Sequence, residues 1–139
     1  NGDRVTAQWF NVLRQAIIDL GGGGGIPETN FVAANNQVAA ANVTGLVFDS
    51  GLYRSAIVEC AISRKTDTAL SEVRAISTLY LLYRLETLTW DLQGPQEYGD
   101  FHGITFTVTG AGQVQYTSTN IAGANYVGTI KFRARTFNA

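Results

Sequence analysis

The chain contains a single cysteine, a single histidine and no methionine. One cysteine excludes an intrachain disulfide framework and a cysteine-based zinc site. One histidine excludes a histidine-rich metal centre. Charge is also scarce: Asp, Glu, Lys and Arg make up 15% of the residues, against roughly 25% in ordinary domains. The net charge is −1, so nothing favours nucleic acid or an anionic membrane as a partner. No apolar run approaches the ~20 residues that a membrane-spanning helix needs. A chain that opens on Asn1 and lacks methionine is expected to be a processed product or a segment of a longer protein.

What is present fits one globular domain. There are 139 residues, 45% of them hydrophobic, which is enough for one core and excludes disorder by composition. So little charge implies a surface buried against other chains or covered by neutral polar groups, among which Thr is in excess.

Residues 1–20 read as an amphipathic helix. Thr6 can cap it, and Trp9, Leu13, Ala16 and Leu20 recur at steps of four, three and four. Phe10, Val12 and Ile17 widen that stripe, and Gln8, Asn11, Arg14, Gln15 and Asp19 fill much of the other side. A lone helix of this length is marginal in water, so its apolar face needs a partner. The body of its own domain and the same helix from other copies are both open. Trp9, Phe10, Leu13, Ala16, Ile17 and Leu20 are therefore the expected anchor or oligomer interface.

Gly21–Gly25 form either a flexible joint or a tight path. A phosphate-binding loop is excluded, because no Gly-Lys-Ser/Thr follows and no strand precedes. Residues 21–45 are expected to be this joint plus an extended arm, rich in Asn and Ala, lying along a partner. The domain proper is placed at 46–139. Val47 and Phe48 read as a short strand closing at the Asp49-Ser50-Gly51 turn.

From residue 53 the period becomes two. Ala56, Val58, Cys60 and Ile62 share one phase, and Arg64 to Thr68 read as a polar turn. Val73 to Arg84 is a long β-rich run. Leu88, Trp90 and Leu92 alternate with polar residues, as do Ile104, Phe106 and Val108, then Val114 and Tyr116, then Ile130, Phe132 and Ala134. Gly110-Ala111-Gly112 suits a hairpin link. Such alternation puts one face on a core. The expected fold is mainly β: an antiparallel, jelly-roll-like β-sandwich of about six strands, preceded by one helix and a glycine-rich joint.

The residue types that carry chemistry are present but not assembled by any motif. His102, with Asp100 two residues before it and Glu97 five before, lacks a nucleophile-elbow serine and reads as a solvated loop histidine. Cys60 sits between Val58 and Ile62 and reads as a small buried hydrophobe. Trp90 and Tyr116 fall on core phases. Tyr98 and Tyr126 lie in glycine-flanked stretches, read as loops, and are the candidates for receptor or glycan contact. The arginines Arg54, Arg64, Arg74, Arg84, Arg133 and Arg135 are spread through the β region, where a solvated sheet face or salt bridges between subunits would use them. No catalytic residue, cofactor or metal site is expected.

Three runs carry a resemblance: Gly103-Ile104-Thr105-Phe106-Thr107-Val108-Thr109, Gly112-Gln113-Val114-Gln115-Tyr116-Thr117-Ser118-Thr119-Asn120 and Gly128-Thr129-Ile130-Lys131-Phe132-Arg133-Ala134. They resemble a β-module of tailed-bacteriophage structural proteins, of the kind found in tail fibres, appendages and head-decoration proteins. Arg54-Ser55-Ala56 and Ser71-Glu72-Val73-Arg74 fit the same module, so the likeness covers residues about 53–137. The opening Asn1-Gly2-Asp3, Thr6-Ala7 and Asn11-x-Leu13 are similar to segments at the start of phage tail and fibre domains. The resemblance implies a virion location, other virion proteins as partners, a homotrimer and a structural role. It carries over no catalytic residue. Some phage fibres degrade surface sugars, and Glu97, Asp100 and Asp91 could be read as supplying paired carboxylates for glycoside hydrolysis; acidic residues after Pro95 are ordinary for a loop. The alternative expectation is a virion module that binds a host receptor or surface glycan.

Overall fold

The computed structural model describes residues 25–139. The expected helix, with Trp9, Phe10, Leu13, Ala16, Ile17 and Leu20, and the glycines before Gly25 lie outside the described residues. Among the described residues there are eight strands and no helix: β1 (Ile26–Val32), β2 (Ala41–Val47), β3 (Tyr53–Lys65), β4 (Val73–Arg84), β5 (Thr89–Gly99), β6 (Ile104–Val108), β7 (Gln113–Ser118) and β8 (Val127–Asn138). They form two antiparallel sheets, one of order β1-β8-β3-β4-β5 and one of order β2-β7-β6. The run β8-β3-β4-β5 has Greek-key order, and its long return is itself the β6–β7 hairpin of the second sheet.

Alternation explains the burial. Val58, Cys60 and Ile62 on β3, Leu79 and Leu81 on β4, and Ile130 and Phe132 on β8 are buried, and they meet Val43, Leu46, Phe106, Val114 and Tyr116 from the smaller sheet in one core. Each large apolar side chain removed from water this way contributes about 1.5–3 kcal/mol. The threonines between them, Thr105 and Thr107, stay exposed. Aromatic contacts tie the sheets together: Phe31 meets Tyr116 edge-on at 5.4 Å between ring centroids, and Phe48 meets Trp90 at 5.8 Å.

Several elements differ from the sequence expectation. The stretch assigned to an arm supplies two strands of the body. Ile26 pairs with Ala134, Phe31 with Ile130, and Asn42 with Gln115. These strands are short of β-branched alternation, and their partners lie far along the chain, on β8 for β1 and on β7 for β2, so local pattern does not show them. At Gly25 the path is tight, because a Cβ there would run into the carbonyl of Ala134. Arg64 and Lys65 end β3 rather than opening a turn. Leu88 lies outside β5, exposed, at φ +57° in the turn between β4 and β5. Tyr98 and Glu97 stand on β5 itself, which runs on past a bulge at Gly94-Pro95. Proline on this edge strand removes a donor that would otherwise invite another strand.

The β strands share two poles. At one pole lie the start of β3, the end of β4, the start of β5, the end of β8 and the β6–β7 hairpin. At the other lie residues 33–37, 66–72, 100–103 and 119–126.

Candidate functional site

Arg64 is the centre of the second pole. It sits on the inward phase of β3 and is 0% exposed, yet among the described residues no carboxylate pairs with it. Its guanidinium instead donates to neutral oxygens on three loops: Nη2 to the Asn35 side chain (3.0 Å) and the Thr119 carbonyl, Nη1 to the His102 carbonyl, and Nε to the Tyr126 hydroxyl (3.0 Å). The Tyr126 ring also lies 5.5 Å from the guanidinium carbon. A planar fork with five donors suits such a multi-loop clamp. Gly103, at φ +71°, leaves room for it, since a Cβ there would press on Thr119 and on Arg64.

His102 belongs to the same cluster and is 4% exposed, so the solvated-loop reading is corrected. Its Nδ1 accepts from the Ile104 amide at 3.0 Å, and its Nε2 meets Glu97 Oε2 at 2.7 Å. An Nδ1 that accepts carries no proton, so Nε2–H donates to the Glu97 carboxylate. Both ring nitrogens are thereby occupied. General-base work would require breaking one of these bonds. The three carboxylates weighed as a sugar-cleaving set have separate partners: Glu97 has His102, Asp91 has Arg84 and Gln93, and Asp100 accepts from the Arg74 amide. Among the described residues no three His, Cys, Asp or Glu side chains form a group suited to a metal ion. Cys60 is buried, and burial pushes its thiol up to about 12, away from nucleophilic use.

The two candidate contact tyrosines part company. Tyr126 is half-buried with its hydroxyl held in the Arg64 cluster. Tyr98 is 78% exposed on the outer face of the larger sheet. It flanks an open trough of about 630 Å³, with Ile76 and Arg74 beside it, Lys131 opposite and Ala61 on the floor. That pattern, an exposed ring beside small and cationic side chains, can stack on a sugar or receive an anionic group. Arg74, Arg84 and Arg133 are on exposed surfaces, paired with Glu72, Asp91 and Glu59 within the chain.

A second hollow, of about 530 Å³, opens at the first pole. Its walls are Val47, Leu52, Tyr53, Tyr83, Leu88 and Trp90. Leu52 and Leu88 are 57% and 68% exposed. Sequence reasoning missed this feature, because Leu88 was placed on a core phase and Leu52 in a turn drew no attention. It also missed Arg64, whose burial is set by loops distant in the chain. Neither has a local signal.

No protein family matches the chain, and no curated protein matches it. Among solved structures, the chain is similar to the tailspike protein of Acinetobacter phage vB_ApiP_P1, at 9% identity and TM-score 0.41, over 83% of this chain and 21% of that one. It is also similar to the tailspike protein of Acinetobacter baumannii phage AM24, at 14% identity and TM-score 0.34, over 82% of this chain and 26% of that one. The chain thus spans about a fifth to a quarter of the length of each.

Proposed function

We propose that this chain is a non-enzymatic structural component of a bacteriophage particle, a homotrimer that attaches through residues 1–20 and holds a rigid β body away from its attachment point. A tail fibre, a collar or head fibre and a decoration protein all fit this description. The observation that carries the proposal is the order of parts. An amphipathic stretch and a glycine run lead into a body whose two sheets share one core. The residues that resemble the phage module form β6, β7 and β8 of that body. Light scattering on the full chain and on a chain lacking residues 1–24 tests it. The expected result is a mass near three times 15.0 kDa for the full chain and a folded single-chain mass after truncation. A single-chain mass for both would overturn it. The cut belongs at residue 24, because a cut at 45 would remove β1 and most of β2.

A second reading is favoured by Tyr98: the trough beside it is a contact for a host glycan. Glycan-array binding that Tyr98→Ala abolishes would support it, and binding unchanged by that substitution would remove the trough from consideration.

A further inference from the structure

The trough beside Tyr98 has a more specific chemistry than a sugar contact alone. Its floor and walls are cross-strand neighbours on the outer face of the larger sheet. Lys131 on β8 stands opposite Ala61 on β3, Ala61 opposite Ile76 on β4, and Ile76 opposite Tyr98 on β5. This row spans three strand spacings, about 14 Å. In the next row Ser63 stands between Thr129 and Arg74. Alanine is depleted in strands, and its small side chain on β3 keeps the floor low where the same face carries Glu59 and Ile57 further back.

The charge on the walls is of one sign. Arg74 and Lys131 line the trough and no carboxylate does. The Lys131 ammonium has no ion-pair or hydrogen-bond partner among the described residues. Arg74 gives its Nε to Glu72, and its two Nη groups have no partner among the described residues. Glu59 is engaged with Arg133, and Asp100 accepts from the Arg74 amide. Glu28 lies in the adjoining hollow, where Arg133 faces it as well as Lys131. Cations on both sides of a floor without carboxylates favour an anion between them. A bare inorganic anion would use neither Ile76 nor the Tyr98 ring, which are 58% and 78% exposed. A ligand that uses all four side chains has an apolar face and a negative group on one ring.

We infer that the trough takes an acidic sugar, a pyranose whose C–H face lies on Tyr98 and Ile76 and whose carboxylate is held by Arg74 and Lys131. The inference rests on the reading of the trough as a glycan contact and names the class of glycan. Arg74 offers a planar fork that matches a carboxylate, and Lys131 a point charge from the opposite wall.

Binding of the full chain to an array carrying uronic-acid and sialic-acid oligosaccharides beside their methyl esters tests this. The ester keeps the ring and removes the charge. At least one acid is expected to bind about tenfold or more tightly than its ester, with a preference that shrinks as salt rises. Lys131→Gln and Arg74→Gln should each reduce that preference severalfold, and Tyr98→Ala should weaken acid and ester alike. All three side chains are exposed, and unchanged circular dichroism would show that the body stays folded. Equal binding of acid and ester, both lost in Tyr98→Ala, would keep the glycan reading and overturn the acidic preference. An acid preference that survives both cation substitutions, or no binding to any acid on the array, would overturn it as well.

Discussion

Cys60 shows how one buried atom sets a pH limit. Its thiol is pushed up from 9.0 to about 12 by burial. In the unfolded chain it loses its proton near the ordinary thiol value; in the folded chain it keeps it. Above that ordinary value the unfolded state binds fewer protons, so stability is full below it and falls as pH rises toward 12. Urea midpoints from pH 8 to 11 should decline, and Cys60→Ala should flatten the part of the slope due to the thiol while lowering stability throughout. Ser77 is a second test at this scale. It is buried, and its hydroxyl has no partner, so Ser77→Ala should be neutral or stabilising by up to about 1 kcal/mol. Arg64→Lys should do the opposite. A point charge cannot reach all the oxygens the guanidinium holds, and a loss of about 2–4 kcal/mol is expected in chemical denaturation. The burial of Cys60, Trp90 and Tyr116 was legible, because each sits in phase with aliphatic neighbours. Arg64 and His102 were not: a polar side chain is buried only when distant segments, here residues 35, 119 and 126, fold over it.

At the scale of elements, period-two alternation located β3, β6, β7 and β8, because a sheet with one wet face must alternate, and a β-rich run located β4. It could not locate β1, whose apolar residues Ile26, Phe31 and Val32 do not alternate and whose register comes from β8. The division of strands into sheets of five and three also has no local signature, since either face of a strand can meet either sheet. The dependence of β1 and β2 on distant partners has a consequence for truncation. Removing residues 1–24 should leave a cooperative fold. Removing 1–45 should yield an aggregating or unfolded chain by circular dichroism, because it strips Phe31 and Val43 from the core and bares an edge of β8. The turn at Leu88 offers the converse. Leu88→Gly or Leu88→Asn relieves a left-handed leucine whose side chain packs little, and a gain of about 0.5–1 kcal/mol in the body lacking residues 1–24 is expected from its thermal midpoint.

The whole molecule has one core shared by both sheets, so thermal unfolding of residues 25–139 should be a single transition with equal calorimetric and van't Hoff enthalpies. What was legible at this scale was the class of fold, mainly β with antiparallel sheets. The pole at which β1 begins was not legible, because it depends on the sense of β1 relative to β8.

That same antiparallel pair sets how the body bears load. Residues 25 and 139 lie toward one pole, so tension between them would peel β1 from β8 one ladder bond at a time, at low force. Tension from residue 25 to the opposite pole would instead slide β1 along β8 and break its bonds together. A particle component anchored at one pole and gripped at the other would be strong along the direction it is pulled, and a single-molecule experiment with handles at residues 25 and 124 should record a higher rupture force than one with handles at 25 and 139.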